Sequence, residues 1–124
     1  MQSRADIRRE LRCRRAALAP AVRARAAAAI ARHVRATRWM RPGRAIGLYC
    51  SVGSEVDTGP LRRLAARGGC LIYLPLITSH AAHRMLFRRD RGRYRPNRMA
   101  IPEPIGGPAC PPRRLDVVFM PLTG

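Results

Sequence analysis

Apolar positions keep a helical rhythm through the first third of the chain and then gather into short unbroken runs. Ile7, Leu11 and Leu18 fall near one face of a predicted helix that Ser3 can cap, with Asp6 completing a shortened capping box. That helix is expected to reach about Ala19. Pro20 suits the first turn of a second helix, in which Val22, Ala26, Ile30 and Val34 form a stripe against a face of Arg and Ala. "RPGR" at 41–44 ends the rhythm, and "AIGLYC" follows as a short buried strand. After the loop "SVGSEVDTGP", Asp57 or Thr58 can cap a third helix with Pro60 in its first turn. Leu61 and Leu64 mark its inner face, and Gly68 and Gly69 its stop. "CLIYLPLI" reads as a second buried strand, "RMLFR" as a third and "LDVVFMP" as a fourth, the last apolar enough to be covered on both faces.

Strands alternating with helices predict an α/β fold: a mostly parallel central sheet flanked by helices, with two helices at the N-terminus. The 124 residues fit one domain. In such folds ligands sit beyond the carboxyl ends of the strands, so the loop after "AIGLYC" is a candidate site. "RRDRGRYRPNR", the densest charge run, is expected to be a solvated loop or hairpin.

The formal charge of +18 would ordinarily point to nucleic acid. Here every one of the 25 basic residues is Arg, and Ala, Gly and Pro are abundant, a pattern that codon bias explains as well as function does. Three Tyr, two Phe and one Trp leave little for base stacking, and no RNA-binding or zinc-finger pattern appears, so no specific nucleic-acid partner is expected. No apolar run approaches the ~20 residues that cross a bilayer, and the N-terminus lacks the apolar core of a secretory signal. Asp6 and Glu10 argue against a transit peptide, which leaves the cytoplasm as the expected location. Cys13, Cys50, Cys70 and Cys110 lie far apart, as free thiols in a reducing compartment do.

Arg4 and Arg8, four apart on a helix, project their guanidinium groups from one face and suit a di- or triphosphate, although so Arg-rich a chain makes such pairs by chance. Glu55 and Asp57 fall in the candidate loop. A carboxylate there can accept N–H groups from a pterin or purine; the alternative is a helix cap at Asp57 and a solvated Glu55. His80 and His83 have metal-compatible spacing but no third ligand nearby, so they are read as a loop pair and no metal site is assigned. No phosphate-loop lysine motif, dinucleotide fingerprint or nucleophile elbow is present.

Several segments stand in a definite order. Arg4, Ala5, Asp6, Ile7 and Arg8 make basic-x-x-apolar-Arg, and "RRAALAP" leads into the second helix. "GLYCSVGSEVDT" carries Glu-apolar-Asp-Thr after a strand, and "IYLPLI" ends a strand in apolar-Pro. "RMLFRRDRGRYRPNRMAIPEP" runs from Met-x-Phe to Asn-x-x-x-Ile-Pro-Glu-Pro, and "LDVVFMP" follows. In order and spacing these resemble the 5-formyltetrahydrofolate cyclo-ligase family, also called methenyltetrahydrofolate synthetase.

The resemblance implies an α/β fold and an ATP- and Mg2+-dependent conversion of 5-formyltetrahydrofolate to 5,10-methenyltetrahydrofolate; the enzyme, if complete, is expected to be a monomer, and no membrane partner is expected. It places Arg4 and Arg8 where the family binds ATP, and Cys50 and Glu55 where it contacts folate, with Glu55 holding the pterin and Cys50 packing against it. Ile101 to Pro104 match a motif near the substrate cleft without an assigned role. Departures are Arg4 for the usual Lys, Ala19 for the Ser that caps the second helix, and Ala100 where Gly is favoured. The family's later Gly-rich loop, which supplies most phosphate contacts, has no counterpart, so no catalytic residue is assigned. The expectation is a single incomplete domain over 1–124, resembling the N-terminal two-thirds of the enzyme, impaired as it stands, with 115–120 an aggregation-prone edge. A basic nucleic-acid-binding module or a non-catalytic remnant are the alternatives.

Overall fold

The computed structural model describes residues 1–79 and 84–122, so His80 and His83 lie outside the described residues. Helix α1 (Arg4–Ala16) begins with the expected capping box: the Asp6 N–H donates to Ser3 Oγ at 3.1 Å and the Ser3 N–H to the Asp6 carboxylate at 3.2 Å. The helix stops short of Ala19 because a residue before proline is driven out of the helical region, and Ala19 is extended at ψ 144. Helix α2 (Pro20–Arg35) buries Ala27 and Val34, with Ile30 and Ala31 packed beside them. Val22 is 38% exposed and Ala26 is exposed as well. The expected stripe is thus rotated, since steps of four drift about 40° each around a 3.6-residue helix.

Strand β1 (Ala45–Gly47) is followed by α3 (Gly59–Arg67), β2 (Leu71–Ser79) and β3 (Arg84–Arg89). Strands β4 (Tyr94–Pro96) and β5 (Pro102–Pro104) form a hairpin of their own. Two short strands, β6 (Ala109–Cys110) and β7 (Val117–Val118), complete a five-stranded sheet of order β6-β3-β2-β1-β7. The sheet is parallel through β2, β1 and β7 and antiparallel from β2 to β3 and on to β6. A parallel β3 would need a crossover of about a dozen residues, and only residues 80–83 separate it from β2. "LDVVFMP" gives a two-residue edge strand, partly buried rather than covered on both faces.

On one face of the sheet α2 and α3 close the core, where Val34, Ile46, Leu48, Leu61 and Leu74 are buried together. The other face has Gly47 beneath Phe87 and Leu115: a Cβ on Gly47 would stand 2.9 Å from Leu115 Cδ1 and 3.1 Å from Phe87 Cε1. Both candidates for the start of α3 are engaged, in different ways. The Thr58 hydroxyl donates to the Tyr49 carbonyl at 2.9 Å, while Asp57 Oδ1 accepts the Gly59 N–H at 2.9 Å.

The charge run folds into the end of β3 and the β4–β5 hairpin, as a hairpin reading requires. Asn97 organises its turn, accepting the N–H groups of Met99 at 2.9 Å and Ile101 at 3.1 Å. Ala100 is forced to φ 59, the left-handed region that a side chain resists.

Two substitutions follow from these local misfits. Ala19 makes no side-chain cap at α2, and Ala19→Ser is expected to stabilise the fold by about 1 kcal/mol. Ala100→Gly is expected to gain a similar amount, about 1 kcal/mol, by removing the left-handed penalty. Chemical denaturation of each variant against the parent checks both.

Candidate functional site

Beyond the carboxyl ends of β1 and β7, the chain encloses a cleft of about 520 Å³. Leu48, Cys50, Phe87, Met99, Ile101 and Phe119 contribute apolar wall, so the cleft is built from both faces of the sheet and from the hairpin turn. Its acidic side chains are Glu55 and Glu103, and no Arg lines it although the chain has 25.

The loop that carries Glu55 is pinned from within. The Val52 N–H donates to Glu55 Oε2 at 2.9 Å, and the Tyr49 hydroxyl donates to the Val56 carbonyl at 3.2 Å. Burial, and secondarily the Glu55 carboxylate, hold the Tyr49 phenol above its ordinary range. Cys50 lies beside Glu55's wall with Sγ 3.8 Å from the Pro102 carbonyl. Burial pushes its thiol up, against a smaller opposing pull from Arg62, which disfavours the nucleophilic thiolate.

Cys50 and Glu55 are therefore brought together, whereas Arg4 and Arg8 are not brought to them. Both arginines are exposed on α1, and neither lines the cleft. Arg15 is the residue of α1 that reaches the loop: its Nε donates to Ser54 Oγ at 3.1 Å and its guanidinium to the Leu122 carbonyl at 2.9 Å. Arg15 stands seven residues beyond Arg8 and eleven beyond Arg4, two separations that return to one helical face. In so Arg-rich a sequence that periodicity carries no visible contrast. Arg15 and Glu55 also border a second cavity of about 470 Å³ between the two N-terminal helices and the loop.

A second constellation fixes the hairpin that walls the cleft. Asp90, whose side chain is 6% exposed, pairs with Arg62 of α3 and accepts the Tyr94 hydroxyl at 2.5 Å. Arg62 donates to the same hydroxyl at 2.6 Å. At the other end of the hairpin, Glu103 Oε2 accepts the Ile77 N–H of β2 at 2.9 Å and the Asn97 side-chain amide at 3.3 Å. Arg62 lies 28 residues from Asp90 and Ile77 lies 26 from Glu103, too far for spacing to announce them, whereas Asn97 and Glu103 both stand in the Asn-x-x-x-Ile-Pro-Glu-Pro motif.

Among the described residues, no three His, Cys, Asp or Glu side chains gather where a metal ion could sit, and no helix is long and apolar enough to cross a membrane. A family model for the 5-formyltetrahydrofolate cyclo-ligase family matches residues 1–124. The NMR structure of Aquifex aeolicus 5,10-methenyltetrahydrofolate synthetase shares the fold, with a TM-score of 0.77 at 19% identity over 92% of this chain. The chain spans 58% of the length of that structure. No curated protein sequence matches.

The raised Cys50 thiol sets an expected order of reactivity. Thiolate is the reactive form, and a raised pKa withholds it until the pH exceeds that of an ordinary cysteine. Iodoacetamide at pH 8 should label exposed Cys13 before Cys50, and peptide mass mapping over time reads the order; Cys50 labelled first would show that its shelter is wrongly described.

Proposed function

Because the chain belongs to the 5-formyltetrahydrofolate cyclo-ligase family, we propose that the cleft receives the pterin ring of 5-formyltetrahydrofolate for ATP-dependent closure to 5,10-methenyltetrahydrofolate. The observation that carries this reading is an apolar cleft at the carboxyl end of β1 whose acidic groups are anchored carboxylates. Neutral walls such as Phe119 and Ile101 suit a flat ring, and a carboxylate suits its N–H groups.

Chemically, a formamide oxygen is a poor leaving group. The reaction transfers the γ-phosphoryl group of ATP to that oxygen, N10 then attacks the formyl carbon and gives up its proton to solvent, and phosphate leaves with the C–O electron pair. What the protein contributes is position and charge. Glu55, fixed through one oxygen by the Val52 N–H, would hold the ring by its N–H groups. Cys50, kept neutral by burial, would pack against the ring without competing as a nucleophile. The apolar walls would exclude water from the activated carbon, which water would otherwise attack.

Arg4 and Arg8 are proposed to meet the ATP phosphates. Neighbouring Arg9 and Arg14 are paired with Asp6 and Glu10, whereas among the described residues no ion pair engages Arg4 or Arg8. Their shared face with Arg15 points this row of charge along α1 toward the Glu55 loop. Magnesium, expected alongside ATP in this family, would be held largely by the nucleotide phosphates and water.

The test is equilibrium binding of 5-formyltetrahydrofolate to the chain by titration calorimetry. A hydrogen bond to a charged group contributes about 1.5–3 kcal/mol, so Glu55→Gln should weaken binding roughly ten- to hundredfold. Absence of binding by the parent chain, or an unchanged affinity in the variant, would reject the reading.

A further inference from the structure

The two carboxylates of the cleft are built alike. Glu55 fixes one oxygen with the N–H of Val52, and Glu103 fixes one oxygen with the N–H of Ile77, each at 2.9 Å. In each case the second oxygen has no hydrogen-bond partner among the described residues. The other polar groups nearby are already engaged. Asn97 spends its oxygen on the N–H groups of Met99 and Ile101 and donates its amide to Glu103, and the Tyr49 hydroxyl donates to Val56.

The cleft therefore offers hydrogen-bond acceptors from two separate walls, one on the β1 loop and one on β5. No Arg lines the cleft itself, which holds two of only seven carboxylates; Arg15 stands in the adjoining pocket that shares Tyr49, Glu55 and Phe119 with it. An ionised carboxylate accepts and cannot donate, so a complementary ligand must bring N–H donors at two places on its rim. A reduced pterin has them, with an amino group and N3–H on one edge and N8–H on another. An N9-substituted adenine has donors at its amino group alone.

We infer that Glu103 is a second ring-reading carboxylate, which together with Glu55 selects a reduced pterin by accepting N–H groups from a different edge of the ring. The ligand class rests on the function proposed above; the placement of Glu103 does not. Its anchoring by Ile77 ties the hairpin to β2, so the same residue that positions the wall also reads what lies against it.

The experiment measures the affinity of the parent chain, Glu55→Gln and Glu103→Gln for three ligands: 5-formyltetrahydrofolate, 7,8-dihydrofolate and folate. The last two differ at N8–H, which folate lacks. Glu103→Gln keeps an acceptor for the Ile77 N–H and turns a donor toward the cleft, so 5-formyltetrahydrofolate should bind about tenfold weaker or worse. The preference for 7,8-dihydrofolate over folate should collapse in one variant and persist in the other. Because that ratio is read within each variant, a general loss of stability cancels from it, and Glu103→Asp supplies the same ratio should Gln impair folding. Parent-like binding by Glu103→Gln, with Glu55→Gln weakened, overturns the inference and leaves the proposed function standing. Equal weakening of every ligand in both variants also overturns it, and a parent chain that binds none of the three removes the function and the inference together.

Discussion

β1 has three residues, and each of its buried backbone groups must be paired on one of two neighbours. On one side the parallel register with β2 meets this need. On the other, β7 is too short to pair along the whole strand, and Asp116 completes the row: its carboxylate accepts the Ala45 N–H at 2.7 Å while its own N–H donates to the Ala45 carbonyl at 2.8 Å. The side chain of one residue thus substitutes for a missing length of strand. Gly47 makes the arrangement possible from the opposite face, because any Cβ there would displace Leu115 and Phe87. With β1 held in this way, Leu48 enters the helical core and the chain emerges at Tyr49 and Cys50 directly into the cleft.

Carboxylates are scarce, and the structure uses each of the seven for a defined purpose. Asp6 caps α1 and pairs with Arg9, Glu10 pairs with Arg14, and Asp57 receives the first N–H of α3. Asp116 completes β1, and nearly buried Asp90 joins α3 to the hairpin through Arg62 and Tyr94. That leaves Glu55 and Glu103, the two that face the cleft. Surface pairs such as those on α1 contribute little to stability. Asp90 differs, since stripping one partner from a buried charge leaves the other uncompensated.

The helices were readable because their signals are local. Ser3 and Asp6 cap α1 within one turn, Pro20 opens α2, and two glycines close α3. The stripe predicted for α2 holds at Ile30 and Val34 and departs in the first half, where Ala27 faces inward instead of Val22 and Ala26, because an alanine is as plausible outside as inside until a sheet covers it. The direction of β3 depended on how few residues precede it, and the narrowness of β7 on a carboxylate contact that no hydropathy pattern encodes. In the site, the family-like order of segments drew attention to Cys50 and Glu55, and both line the cleft. Arg15 and Arg62 carry no local signal for a physical reason: their partners lie 28 to 107 residues away, and Asp90 and Tyr94, four apart, are joined to α3 only through Arg62.

The separation of charge along this surface has a consequence for the proposed chemistry. A molecule of net charge +18 attracts any polyanion, ATP and folate alike, so long-range attraction cannot decide which end of which ligand goes where. Local sign can. Folate carries its negative charge on the glutamate tail and its N–H groups on the ring, and under the proposed function a cleft lined by two carboxylates and no arginine would repel the tail and accept the ring. Arg15, anchored to Ser54 beside Glu55, marks the boundary between that acidic interior and the arginine row of α1. On the proposed function, orientation of the ligand would then follow from where arginine is absent, and the abundance of arginine elsewhere is what would give its absence effect.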